Sequence, residues 1–167
     1  MYKQHETETP MRARLADLGI EVTIYRHPAL HTVDESRQQR GNIPGSHIKN
    51  LFLRDKKRNQ WLVTVPEDAK VDLKALRYVL GARGNLSFGS AELLEDSLRV
   101  EPGSLTPFAV MNDAEGVVTM VLANDVLETD PVNAHPLHNK ATAAISGADL
   151  LRFLEACAHP PVMIDLP

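Results

Sequence analysis

The strongest constraint on the fold is a pair of β-like runs, Ile48 to Leu53 and Trp61 to Val65, separated by the polar turn Asp55 to Gln60. Apolar residues on both sides of a turn-rich stretch predict a hairpin. A second pair, Phe108 to Met111 and Val117 to Leu122, flanks Asn112-Asp113-Ala114-Glu115-Gly116 and predicts another. Around these runs the apolar spacing changes to a helical period. Thr9-Pro10 opens the pattern Met11, Leu15, Leu18, which Gly19 ends, and Val22 to Tyr25 follows as a strand. Thr32-Val33-Asp34-Glu35 has the spacing of a capping box, predicting a short helix toward Arg40 before the loop Gly41 to Gly45. Leu73, Leu76, Tyr78, Val79 and Leu80 form a helical pattern that stops at Gly81, and Ser90 caps another from Ala91 to Glu95. Ser146 caps the pattern Leu150, Leu151, Phe153, Leu154, Cys157, and Pro160-Pro161 precedes a final apolar run, Val162 to Leu166. Hairpins interspersed with helices predict an α/β chain of the α+β type, with a mixed, largely antiparallel sheet and flanking helices. With no linker or repeat in sight, residues 1–167 read as a single domain.

Charge adds a polarity that the net value of −4 conceals. Between Arg37 and Arg83 stand eleven Lys/Arg against four Asp/Glu, a balance of +7, whereas the rest of the chain carries −11. Such asymmetry can aim one face at a polyanion, although Arg54, Lys56, Lys57 and Arg58 equally suit a solvated turn. No apolar stretch has a membrane span's length of roughly 20 residues, and the polar start Met1 to Glu6 lacks a signal-peptide core, so a cytoplasmic location is expected.

Several chemistries are missing. The chain has no G-x-S-x-G elbow, phosphate-binding G-x-x-x-x-G-K-[ST], H-E-x-x-H or G-x-G-x-x-G. The single cysteine, Cys157, falls on an apolar helical stripe and reads as a core residue. His27 and His31, like His135 and His138, have a spacing that suits a metal on a helix. A proline follows the first of each pair, and no carboxylate stands at ligand spacing, so neither a metal nor a cofactor is expected. What remains is a protein without catalysis, or an enzyme that positions water without a nucleophile or metal.

Three segments bear polar groups that packing alone explains poorly. In Lys49-Asn50-Leu51-Phe52-Leu53, strand alternation aligns Lys49 with two leucines, as a snorkelling edge residue or as a cation aimed into a pocket. In Glu101 to Phe108, Gly103, Ser104, Leu105, Thr106 and Pro107 form either a rigid turn or a loop offering backbone N–H groups to an oxygen. His135-Pro136-Leu137-His138-Asn139-Lys140-Ala141-Thr142 combines an imidazole, an amide and a hydroxyl, or is simply a polar loop before the last strand and helix.

Together these segments resemble the YbaK-like family of prolyl-tRNA-synthetase-associated editing domains. The likeness lies in Lys49 to Leu53, the G-x-x-x-P loop Gly103 to Pro107, and His135-Pro136-Leu137-x-Asn139-x-x-Thr142. Trp61-Leu62-Val63, Val71-Asp72-Leu73-Lys74, Leu86-Ser87-Phe88 and Leu150-Leu151-Arg152-Phe153-Leu154 support it, and the match runs from about Thr9 to Leu166. The resemblance implies the editing-domain fold in its stand-alone form, since no synthetase motif is present. It is most like the branch that removes alanine from proline tRNA. Cysteine-specific members usually carry Gly-Gly before Ser-Pro, where this chain has Pro102-Gly103-Ser104-Leu105-Thr106-Pro107, which counts against cysteine and leaves serine, threonine or another small residue open as the alternative.

The activity so implied is hydrolysis of the ester on mischarged tRNA(Pro), with prolyl-tRNA synthetase a possible partner and neither DNA nor a membrane involved. Lys49 is implied to meet the terminal phosphate or ester, the amides of Gly103 to Thr106 the carbonyl oxygen, and His135 the adenosine or ribose. Asn50, Asn139 and Thr142 would support the site, while Phe108 and Leu137 would limit the size of the amino acid. Within the basic stretch, Lys74, Arg77 and Arg83 are candidates for tRNA phosphates.

Overall fold

A computed structural model describes residues 7–29, 34 and 43–167. Its sheet comprises β1 (Thr23–Arg26), β2 (Ser46–Arg54), β3 (Gln60–Pro66), β4 (Ser87–Phe88), β5 (Val118–Ala123), β6 (Val132–Ala134), β7 (Ala141–Ile145) and β8 (Val162–Ile164). The strand order is β1-β7-β6-β2-β3-β5-β8, with β4 pairing beside β2. Pairs β1–β7, β6–β7, β2–β3 and β2–β4 are antiparallel, and β2–β6, β3–β5 and β5–β8 are parallel. The mixed, largely antiparallel sheet is therefore as expected, and the first hairpin forms its centre, with Phe52 opposite Leu62 and Leu53 opposite Trp61. Trp61 to Val65 are buried without alternation, so both faces of β3 are covered.

The hairpin turn is built on Asp55. Its buried carboxylate accepts the backbone N–H groups of Lys57 and Asn59 and the Asn59 side-chain amide, each at 2.9 Å. It also takes the Arg83 N–H at 2.8 Å, tying the turn to the segment before β4. Burial alone raises the pKa of this carboxyl, but the four donors outweigh it and hold the group below its ordinary range.

The helices are α1 (Glu8–Asp17), α2 (Leu73–Leu80), α3 (Ala91–Leu98) and α4 (Gly147–Ala156). Ser90 and Ser146 cap α3 and α4 as expected, accepting the N–H groups of Leu93 at 3.0 Å and Asp149 at 3.1 Å. Asp72 caps α2, and Gly81 ends it in the left-handed conformation at φ 67°. Helix α1 starts at Glu8, ahead of the expected Thr9, and buries Met11 and Leu15. The helix expected from Thr32 toward Arg40 lies outside the described residues, apart from Asp34.

The second hairpin does not form. Pro107–Asn112 is a 3-10 helix in which proline supplies the first residue and the Thr106 hydroxyl oxygen accepts the Phe108 N–H at 3.4 Å. Phe108, Ala109 and Val110 are consecutively buried, which strand alternation against one partner would not produce. Phe108 meets Phe153 of α4 edge-on at 5.1 Å and 85°. Strand β5 instead finds distant parallel partners, with Leu62 alongside Met120 and Leu122 alongside Met163. The intended turn survives as a strand cap, because the Asp113 carboxylate accepts Val117 and Val118 N–H groups at 3.0 and 2.8 Å.

Strands β6 and β7 were not anticipated. They flank the motif His135 to Lys140, so this segment is a strand-to-strand loop, and Thr142 stands on β7.

Candidate active site

Strands β2 and β6 run side by side only briefly, Ser46 beside Val132 and His47 beside Asn133. Beyond that point β2 continues against β3, while β6 turns back into β7. The two strands thus part after His47 and Asn133, near the start of β2 and the end of β6.

The register is held from behind. At Gly45, φ is 111° and a Cβ would stand 2.2 Å from the Pro131 carbonyl oxygen, so only glycine allows the strands to meet there. The Ser46 N–H bonds Pro131 O at 2.8 Å, and the Asn133 amide donates to Pro44 O at 3.0 Å.

Lys49 is half-buried opposite Val65, and its ammonium donates to the Ala69 carbonyl in the connection to α2. The next residue points to the other face. Asn50 donates its amide to Leu105 O at 3.1 Å and accepts the hydroxyl of Thr64, its cross-strand partner, at 2.6 Å. The first motif thereby holds the second, with the glycine loop fastened to the strand that carries Lys49.

Within that loop Pro102–Ser104 is a 3-10 turn. Its Ser104 N–H is committed to Glu101 O at 2.9 Å, which removes this amide from the set expected to meet a substrate oxygen. Gly103 is half-exposed, whereas Ser104, Leu105, Thr106, Pro107 and Phe108 are buried. Phe108 is wholly enclosed, so it shapes the site through the packing beneath and does not form an exposed wall.

In the third motif, His135 Nδ1 lies 3.2 Å from Ala141 O. A carbonyl only accepts, so Nδ1 carries the proton and Nε2 keeps its lone pair. Burial holds this imidazole below the ordinary histidine range despite the bond to Ala141, and hence neutral at pH 7. Leu137 is buried in the left-handed region at φ 71°, a conformation that a leucine adopts only when its surroundings impose it. The Thr142 hydroxyl is 2.9 Å from His27 Nε2, and His27 Nδ1 bonds Pro28 O at 2.8 Å. Asn139 is half-buried in the loop.

A buried carboxylate adjoins the third motif through His138. Glu8, the first residue of α1, is 0% exposed and accepts both guanidinium nitrogens of Arg26, at the end of β1. Arg12 approaches it at 3.4 Å, and His138 Nε2 stands 2.5 Å from the same carboxylate. Burial works to raise the Glu8 pKa, but the bonds from Arg26 and His138 reverse this and hold it low. A glutamate in a helix's first turn is ordinarily a solvated partner of the helix dipole, so no sequence signal marked it.

Of the basic candidates, Lys74 and Arg83 are exposed. Arg77 is half-buried, bonds Asn85 Oδ1 at 2.7 Å and lies 4.9 Å from the centre of the Tyr78 ring. Lys74 and Arg77 lie on α2, soon after the Ala69 carbonyl that holds Lys49. No helix among the described residues is long and apolar enough to cross a membrane.

Residues 27–153 match the family described as the aminoacyl-tRNA editing domain. The chain is 41% identical over 152 residues to prolyl-tRNA synthetase associated domain-containing protein 1 of Danio rerio, covering 90% of this chain and 82% of that protein. It is 34% identical over 155 residues to the prolyl-tRNA editing protein ProX of Acetoanaerobium sticklandii, covering 92% and 94%. Among solved structures, the fold matches that of a candidate trans-editing enzyme for prolyl tRNA synthetase, with a TM-score of 0.76, 19% identity and 98% of each chain covered. With residues 27–153 matched to the family and most of its length covered by relatives, this chain belongs to the YbaK-like family of aminoacyl-tRNA editing domains.

Proposed function

We propose that this protein is a trans-editing deacylase that hydrolyses the ester of mischarged Ala-tRNA(Pro). The observation that carries the reading is the Asn50 clamp, which joins the Gly103 to Pro107 loop to the strand bearing Lys49. An aminoacyl ester is already activated, so a positioned water and a polarised carbonyl suffice. Water adds to the carbonyl carbon, the ester C–O bond breaks, and alanine leaves a tRNA with its hydroxyl restored.

Lys49, fixed by Ala69, meets the terminal phosphate or the ester. Gly103 is the loop amide best suited to the developing oxyanion, since the Ser104 N–H is already engaged. The neutral His135, with Nε2 as an acceptor, suits a ribose hydroxyl better than it suits an anion. The ribose hydroxyl itself helps to activate the water. Buried Leu105 and Leu137 bound the space for the amino acid. Lys74, Arg77 and Arg83 take tRNA phosphates, in an association that weakens with salt. Proline tRNA as the substrate is consistent with the prolyl-tRNA synthetase relatives. Alanine rests on the loop pattern, and a hydrophobic pocket separates neighbouring side chains by only about 1–3 kcal/mol.

The test is deacylation of Ala-tRNA(Pro) beside Ala-tRNA(Ala), Cys-tRNA(Pro) and Pro-tRNA(Pro). Loss of alanine from proline tRNA alone supports the assignment. Removal of another residue moves the substrate within the same chemistry, and binding without hydrolysis replaces the enzyme with an RNA-binding module. Lys49→Ala is expected to remove most turnover without unfolding the chain, and near-wild-type hydrolysis by it would sink the proposed site.

A further inference from the structure

We propose that Glu8 is a positioning residue for the His135 to Lys140 loop, acting through His138. His138 Nδ1 receives the Lys140 backbone N–H at 3.0 Å, so this nitrogen bears the lone pair. Its Nε2 therefore carries the proton and donates it to Glu8 at 2.5 Å. The carboxylate thus selects the tautomer that lets the loop close on itself at Lys140. The other end of the contact is equally fixed, because Arg26 reaches the same carboxylate from β1, and the following His27 N–H bonds Lys140 O at 3.1 Å.

The loop so gripped contains His135 and the left-handed Leu137. Three elements remote in sequence, α1, β1 and the β6–β7 loop, meet on a carboxylate with no solvent exposure. Glu8 touches neither Lys49 nor the glycine loop, and its effect on the site passes through loop geometry. The effect on turnover rests on the deacylase reading, but the effect on the loop does not.

The test compares wild type, Glu8→Ala, His138→Asn and the double variant, with Glu8→Gln as a milder replacement should the alanine variant not fold. Asparagine at 138 keeps an acceptor near the Lys140 N–H but cannot reach Glu8. Displacing a catalytic group by about 1 Å from a distance can lower turnover by about 100-fold. In the folded variants, kcat is expected to fall by about 10-fold to 100-fold while KM for the charged tRNA moves less than about threefold. The double variant should fall no further than the weaker single variant, as for residues acting in series. Unchanged kcat in folded Glu8→Ala or Glu8→Gln, or losses that multiply in the double variant, overturns the proposal.

A second readout needs no substrate. The Lys140 amide should be protected from hydrogen exchange, and nitrogen NMR should show His138 with the proton on Nε2. Both features should disappear in Glu8→Ala and weaken in Glu8→Gln. If wild type hydrolyses no charged tRNA but these signals behave as described, the deacylase reading falls and the positioning role stands. If the signals do not respond to Glu8, the positioning role falls whatever the activity.

Discussion

Replacing Asn50 with alanine tests whether the glycine loop is held by the strand below it. The substitution removes the donor to Leu105 O and the acceptor of the Thr64 hydroxyl. Thr64 is 0% exposed, so no water replaces the lost acceptor without rearrangement. Leaving a buried polar group unpaired costs about 1–3 kcal/mol, and two such groups place Asn50→Ala at about 2–6 kcal/mol less stable than wild type. Thr64→Val alone should cost about 1 kcal/mol, because Asn50 is only half-buried and its oxygen can turn to water. Adding Thr64→Val to Asn50→Ala removes the orphaned hydroxyl, so the double variant should recover about 1–2 kcal/mol of the sum of the single losses. Urea unfolding of all four proteins measures the cycle. Deacylation at a temperature where each remains folded should show Asn50→Ala slowed about 10-fold or more, with tRNA binding retained, since the loop loses its register. Strictly additive losses, or an Asn50→Ala protein within about 0.5 kcal/mol of wild type, would refute the clamp.

The Asp55 turn makes a pH-dependent contribution. Its folded pKa lies below the unfolded value of about 4, so the stabilisation is complete above that value and fades as pH falls through the folded pKa. The stability difference between wild type and Asp55→Asn should therefore stay constant from about pH 8 to 5.5 and shrink below about pH 4, as read by denaturant titration across pH. Gly45→Ala should lower stability by more than about 3 kcal/mol, since a Cβ would lie 2.2 Å from a backbone oxygen at a φ of 111°, and a thermal melt within a few degrees of wild type contradicts it. Arg99 ends α3 in the left-handed region at φ 57° on an exposed surface, so Arg99→Gly should raise the unfolding free energy by about 0.5–1 kcal/mol in urea.

Local chemistry was legible where local chemistry decides. The central hairpin, the serine caps at Ser90 and Ser146 and the glycine stop at Gly81 all follow from neighbours within a few residues. The error at Phe108 to Met111 arose because an apolar run bounded by turns fits a strand or a buried 3-10 helix equally. The choice was made by Pro107, the Thr106 cap and the distant Phe153. Strands β6 and β7 escaped because they are short and alanine-rich, three of the five residues from Ala141 to Ile145 being alanine, and the place of β7 is fixed by pairing between β1 and β6.

The site divides in the same way. The motifs around Lys49, Gly103 and His135 could be found by their order along the chain, but the Asn50 contact to Leu105 is a tertiary fact. Glu8 and Arg26 were invisible for a stronger reason. A charged side chain defaults to solvent, and only folding shows that this carboxylate is enclosed with its partners.

The outer strands bear on how a fragment of this protein would behave. Cutting to the matched span 27–153 removes α1 and β1 at one end and β8 at the other, and truncates α4 before Leu154. Both flanks of the sheet then lie open, with β7 stripped of β1 and β5 stripped of β8. The bared β5 presents Val121, Leu122 and Ala123, all buried in the whole chain, along an unpaired row of backbone donors and acceptors. Such an edge templates another strand, so a fragment that keeps every recognisable motif would self-associate through its margins. The outermost strands thus cover the buried edges of β7 and β5, and β1 also supports the strand that follows the loop between β6 and β7.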